Sequence, residues 1–139
     1  MNEQTFITIE TMVQAPIEKV WEYWTSPEHI TKWAFASETW EAPYAENDIT
    51  IGGKFKITMA AKDKSEGFDF TGVYTDVKTN KLIEYTMDDG RRAKITFEEL
   101  SGGVRIIESF EPEKINSEDM QRSGWQAILD NFKKHTESN

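Results

Sequence analysis

SEDMQRSGWQAILDNFKKHT, residues 117–136, is the stretch whose reading decides the fold. Ser117 is a good helix N-cap, and Glu118 and Asp119 suit the positive end of the helix that follows. Met120, Gly124, Ala127 and Ile128 share one side, with Trp125, Leu129 and Phe132 beside them, an apolar stripe at helical spacing. Lys133, Lys134 and His135 fall in the last turn, where the helix dipole favours them, and residues 136–139 are expected to fray. Gly124 sits in the middle of this helix, where glycine costs about 1 kcal/mol relative to alanine. Either the helix packs closely on another element there, which is the expectation, or a ligand presses against its backbone. Gly124→Leu is then expected to damage folding or ligand uptake.

Upstream of that helix the pattern is strand after strand. Phe55, Ile57, Met59 and Ala61 alternate with Lys54, Lys56 and Thr58. Phe68, Phe70, Gly72 and Tyr74 share one face of the next run, and Leu82 to Met87 forms another. Ala93, Ile95 and Phe97 alternate along Arg92 to Leu100, and Val104, Ile106 and Phe110 mark the last strand. The links are short and polar, and Asp88-Asp89-Gly90 has the turn chemistry of a hairpin. Short links make an antiparallel meander. A further strand is expected around Trp40, within residues 37–43, followed by a polar link through Ala45, Glu46, Asn47 and Asp48.

Ahead of the meander, Thr5 to Val13 alternates, with Ile7, Ile9 and Val13 on one face. Pro16 fits the first position of a helix whose Ile17, Val20, Trp21 and Trp24 form one stripe. Ser26-Pro27-Glu28 restarts a short second helix, with Ile30 and Trp33 as its spaced apolar pair. The order is therefore strand, two short helices, six strands and a long helix, an α+β protein forming one domain over residues 1–139. An antiparallel sheet this large must curl or cover its apolar face, and the helices are the only cover available.

Composition narrows the function. The chain carries Lys+Arg 16 against Asp+Glu 25, a formal charge of -9, which disfavours nucleic acid and anionic lipid surfaces as partners. Cys 0 removes disulfides and thiolate metal sites. The N-terminus lacks the pattern of a signal peptide and no apolar run approaches a membrane span, so a soluble, cytoplasmic protein without membrane insertion is expected. Gly52-Gly53 lacks the following Lys-Ser/Thr of a phosphate loop and precedes a strand, so no nucleotide cofactor is implied.

Several stretches, taken in order, resemble a known group. Ala15-Pro16-Ile17-Glu18-Lys19-Val20-Trp21, Ile51-Gly52-Gly53-Lys54-Phe55, Gly72-Val73-Tyr74, Leu82-Ile83-Glu84-Tyr85-Thr86 and Gly124-Trp125-Gln126-Ala127-Ile128-Leu129 are similar to the START/Bet v 1-like superfamily. Within it they most resemble the branch of the C-terminal domain of the activator of Hsp90 ATPase. The resemblance implies a helix-grip fold, a curved antiparallel sheet of six to seven strands wrapped around a long C-terminal helix. It also implies a hydrophobic cavity between them in many relatives, with lipids, sterols, polyketides or flavonoid-like rings as ligands in parts of the superfamily, and contact with a chaperone in the activator branch. Relatives often carry Trp-Trp-Gly-Pro after the second helix, where this chain has Lys32-Trp33-Ala34-Phe35-Ala36, near the expected mouth of the cavity. Ligand identity is therefore not carried over.

The candidate ligand-binding residues are Trp33, Phe55, Ile57, Phe70, Tyr74, Tyr85, Phe97, Ile106, Glu108, Trp125, Leu129 and Phe132. Tyr74, Tyr85 and Trp125 add polar tips that could orient a ligand. Among the acidic residues of the strands, Asp69, Glu84 and Glu108, the last shares parity with Val104, Ile106 and Phe110. An ion pair with Arg105 or a neighbouring Lys, or exposure at a sheet edge, is expected for it. Inside a cavity, desolvation would instead raise its pKa. His29 and His135 lie far apart in sequence without metal-ligand spacing, so no metal site and no catalytic imidazole is expected. No catalytic residue set is assigned. Non-enzymatic binding of a small hydrophobic, lipid-like or aromatic molecule ranks first, a chaperone-associated interaction module second, and a cyclase- or dehydratase-type enzyme using Glu108 last.

Overall fold

A computed structural model describes residues 6–139. Thr5, at the start of the first expected strand, lies outside the described residues. The chain runs Ile7–Val13 (β1), Ile17–Thr25 (α1), Pro27–Ile30 (α2), Trp40–Asn47 (β2), Lys54–Ala61 (β3), Gly67–Lys78 (β4), Leu82–Met87 (β5), Arg92–Leu100 (β6), Gly103–Phe110 (β7) and Glu118–Ser138 (α3). All seven strands belong to one sheet, in the order β1-β7-β6-β5-β4-β3-β2, and every neighbouring pair is antiparallel. The sheet curls into a half-barrel around α3, the helix-grip arrangement.

Alternation sets which face is inside. Ile7, Ile9, Tyr85, Ile83, Ala93, Ile95, Ile106 and Phe110 are all buried on the concave face. The expected hairpin between β5 and β6 forms as its turn residues dictate. Gly90 takes a φ of 91°, and its N–H donates to the Met87 carbonyl at 2.8 Å. β2 is longer than expected, because the polar run through Asn47 remains paired with β3. Its register shifts between Glu41 and Tyr44, around Pro43. Proline has no N–H for the ladder and is tolerated on an edge strand at such a bulge. An edge strand also faces solvent, so the polar sequence that looked like a link is a half-wet strand.

β1 is the opposite edge, and α3 covers it. Arg122 Nη1 donates to the Thr8 carbonyl at 3.1 Å, Gln126 Nε2 to Glu10 at 3.3 Å and Lys133 Nζ to Met12 at 2.6 Å. Alternate carbonyls of an unpaired edge are thus satisfied from one face of a helix, which also blocks pairing with another chain. Glu137 continues the series by accepting from the Gln14 N–H at 2.8 Å and from Lys133 Nζ at 2.8 Å. That is why α3 runs to Ser138 instead of fraying from 136. Ser117 caps its other end, with Oγ accepting from the Met120 N–H at 3.1 Å. Pro16 is the N-cap of α1 rather than its first residue.

Candidate functional site

α3 does not lie evenly on the sheet. Its C-terminal half descends into an aromatic cluster: Phe132 meets Trp24 at 4.8 Å and Trp33 at 5.0 Å between ring centroids, and Trp24 meets Phe97 at 5.6 Å. Its N-terminal half rides on the β1 edge and stands away from β3, β4 and β5. Between that half and those strands is a cavity of about 400 Å³. Sites for small ligands fall in the range of roughly 300–1,000 Å³.

Its walls are mostly ring and aliphatic surface, from Phe55, Ile57, Met59, Phe70, Trp125 and Ile128 among others. Trp125 stacks on Phe110 with centroids 3.8 Å apart and meets Phe70 edge-on at 6.1 Å. Phe55 packs edge-on to Tyr85 at 4.9 Å and beside Phe70 at 5.3 Å. Gly72 makes this possible, since a Cβ there would stand 2.7 Å from the Phe55 ring. At the rim, Phe68 and Met120 are 53% and 62% exposed.

Of the sequence candidates, Trp33, Phe55, Ile57, Phe70, Tyr74, Tyr85, Glu108, Trp125 and Leu129 all face this cavity. Phe97, Ile106 and Phe132 do not line it. They are buried in the packed core where α1 and the lower half of α3 close onto the sheet. Strand and helix periodicity tells inside from outside, but not a filled interior from a hollow one. The Trp33-Ala34 stretch is also buried, forming wall rather than mouth.

Gly124 is the clearest departure from expectation. A Cβ built there would have no neighbouring atom within 4 Å, so close packing does not explain the glycine. It lines the cavity and faces open space.

The polar groups are few and unequal. The Tyr74 hydroxyl donates to Asn47 Oδ1, and Asn47 Nδ2 donates to the Thr25 carbonyl at 2.7 Å, tying β2 to the end of α1. Burial pushes the Tyr74 phenol up. Gln121, buried at the other end, donates through Nε2 to the carbonyls of Glu113 at 3.1 Å and Asn116 at 2.9 Å. Its Oε1 accepts from the Glu113 N–H at 2.9 Å, so one amide fixes the loop before α3. Arg91 is held by Asp89 and by the Glu111 carbonyl.

Glu108 is different. It is 6% exposed, and burial pushes its carboxyl up to about 8. The expected ion pair is not made: Arg105 instead pairs with Glu10 at 3.2 Å and with Glu98 at 3.9 Å on the outer face. Neither is it at a sheet edge, since β7 lies between β1 and β6. Asp69 faces outward, accepting from Thr58 Oγ1 at 2.8 Å.

The histidines, distant in sequence, are neighbours. His29 Nδ1 and His135 Nε2 are 3.0 Å apart, and the Tyr23 ring stacks on His29 at 3.7 Å. Among the described residues no group of three potential metal ligands occurs. Sequence reasoning missed Asn47, Arg91 and Gln121 as cavity groups. A polar run at a strand end, a turn arginine and one glutamine on a helix carry no local signal of burial.

Fold and cavity together define a helix-grip protein with an internal cavity. Residues 14–137 match the family described as Activator of Hsp90 ATPase homolog 1-like protein, and the chain belongs to it. The chain is similar to the solution structure of the AHSA1-like protein from Aeromonas hydrophila, with 40% identity, a TM-score of 0.91, and coverage of 96% of this chain and 93% of that one. A solution structure from Cytophaga hutchinsonii shares 56% identity with a TM-score of 0.82, covering 96% and 92%. The crystal structure of protein CV1439 from Chromobacterium violaceum, at 23% identity and a TM-score of 0.87, covers 97% of this chain and 99% of that one and shares the fold. No curated protein matches the sequence. Among the described residues, no helix is long and apolar enough to cross a membrane.

Proposed function

We propose that this protein is a non-enzymatic binder of a small, largely apolar, ring-bearing molecule held between the sheet and α3. The observation that carries the reading is the open space in front of Gly124, inside a cavity of about 400 Å³ walled by aromatic rings. Transfer of apolar ligand surface into it is worth roughly 25 cal/mol per Å². Exposed Phe68 and Met120 at the rim mark the point of entry. Glu108 stands in the cavity without an acid–base partner bonded to it, which supports binding as its role.

Titration with two- and three-ring aromatic compounds tests this, read by Trp fluorescence and by backbone chemical shifts. Saturable changes clustered on Trp125 and Phe70 are expected. Gly124→Leu would place an isobutyl group in the empty space and remove a mid-helix glycine. It should therefore abolish uptake while melting at the same temperature or higher, by up to about 1 kcal/mol of added helix propensity. Loss of folding in Gly124→Leu would mean that the helix packs closely there after all. Binding to a chaperone domain with no uptake of any ring compound would replace this reading with the interaction role implied by the family description.

A further inference from the structure

The binder reading leaves open which chemical group the cavity recognises, and its polar end answers that. Glu108 on β7 stands in register between Ile9 of β1 and Ile95 of β6, and Ile83 of β5 lies beyond Ile95. From the strands packed beside it, β1 presents Ile7 and Ile9, and β6 presents Ala93 and Ile95. The polar or titratable groups that share the cavity with it are Tyr85 of β5, Tyr74 of β4, Arg91 of the β5–β6 turn, Asn47 of β2, and Glu113, Asn116 and Gln121 around the start of α3. Tyr74, Asn47 and Gln121 are already bonded to one another or to backbone. Glu113 and Asn116 bond to each other.

Two oxygen-bearing groups are left. Neither the Glu108 carboxyl nor the Tyr85 hydroxyl makes a hydrogen bond among the described residues, and both face the cavity. Their polar atoms open onto the cavity, so a ligand that fills it must either bond to them or leave them unsatisfied, at roughly 1–3 kcal/mol for each group. With no cation beside it, Glu108 keeps its proton near neutral pH, burial alone sufficing. The Tyr85 phenol is likewise held protonated by burial, then by the Glu108 charge. Both are therefore donors, while Arg91 is held by Asp89 and the Glu111 carbonyl.

We propose that this end is a subsite for a hydrogen-bond-accepting oxygen of the ligand, a ketone or enone carbonyl on a ring system, bound jointly by the Glu108 carboxyl and the Tyr85 hydroxyl. The proposal rests on the binder reading and names the ligand class within it. A neutral acid beside a phenol in an apolar site presents two O–H groups and no lone negative charge, which suits a carbonyl oxygen. An ammonium ligand would meet two donors and no negative charge.

The test compares three compounds at pH 7 by fluorescence titration. These are 2-acetylnaphthalene, its near-isostere 2-isopropenylnaphthalene, in which C=CH₂ replaces C=O, and the cation 2-naphthylmethylammonium. The ketone is expected to bind roughly tenfold or more tightly than the alkene, the difference of one or two buried hydrogen bonds. That preference should shrink toward unity in Tyr85→Phe, which keeps the ring, and survive in part in Glu108→Gln, whose amide still donates. The carbonyl stretch of bound ketone should lie below its value in hexane and rise in Tyr85→Phe, a signature that a merely structural role would not move. Equal affinity for ketone and alkene overturns the subsite and leaves the binder reading standing. Saturable binding of neither overturns both. Preferred binding of the ammonium, lost in Glu108→Gln, overturns the subsite in favour of a cation site.

Discussion

Glu108 shows how one residue's chemistry is set by what its neighbours omit. A glutamate on a central strand is stabilised in most proteins by a cation, and here every neighbour on its face is hydrocarbon or phenol. Its folded pKa of about 8 lies above the ordinary 4.5, so between those values the folded chain holds a proton that the unfolded chain has released. Stability from this source is complete below about pH 4.5 and is lost as pH rises toward 8, at up to about 1.4 kcal/mol per pH unit. Glu108→Gln should remove that slope. Urea unfolding at pH 5, 6, 7 and 8 checks it, and the variant should be the more stable protein at pH 8. An identical pH profile in both proteins would mean that the carboxyl is already ionised in the folded chain over this range. The parity of Glu108 with Val104, Ile106 and Phe110 was legible in the sequence, whereas the absence of a partner on β1, β5 and β6 was not.

Among elements, α3 carries the argument. Its capping, its stripe and the stop to the sheet at Pro112 are local, and each could be read from the chain. Its tilt is not local. Arg122, Gln126 and Lys133 hang it from the edge carbonyls of β1, and Phe132 anchors its lower half, so its upper half stands off the sheet. Near its end the helix is clasped to α2 through His135 and His29. Burial, then the charges of His29, Lys32 and Lys19, hold the His135 imidazole below its ordinary value of 6.5. The unfolded chain thus takes up this proton first. Stability from the clasp is present above about pH 6.5 and is lost as pH falls through the lower folded value. Comparing melting temperatures at pH 7 and pH 5, His135→Gln should lose less on acidification than the parent protein. An equal loss would place the acid sensitivity elsewhere.

For the whole molecule, the cavity means that part of the interior is left unpacked, at a cost in contacts that a bound ligand would restore. A ring ketone at a hundredfold excess over its Kd should stabilise the fold by roughly 2.7 kcal/mol, a rise of several degrees in Tm that grows with ligand concentration. The same compound should leave the Tm of Gly124→Leu unchanged. The amino-acid sequence by itself determined the number and order of the elements, the inward face of each strand and helix, and the family, because periodicity and turn chemistry act over a few residues. Only the tertiary structure decided which apolar residues enclose space and which fill it. Phe97 and Phe132 are as apolar as Phe55 and Phe70, yet they fall where the helix touches the sheet and not where it stands clear. That division depends on the angle of α3 across a curled sheet, a sum of contacts between residues more than 100 positions apart, such as Thr8 with Arg122, and no local pattern encodes it.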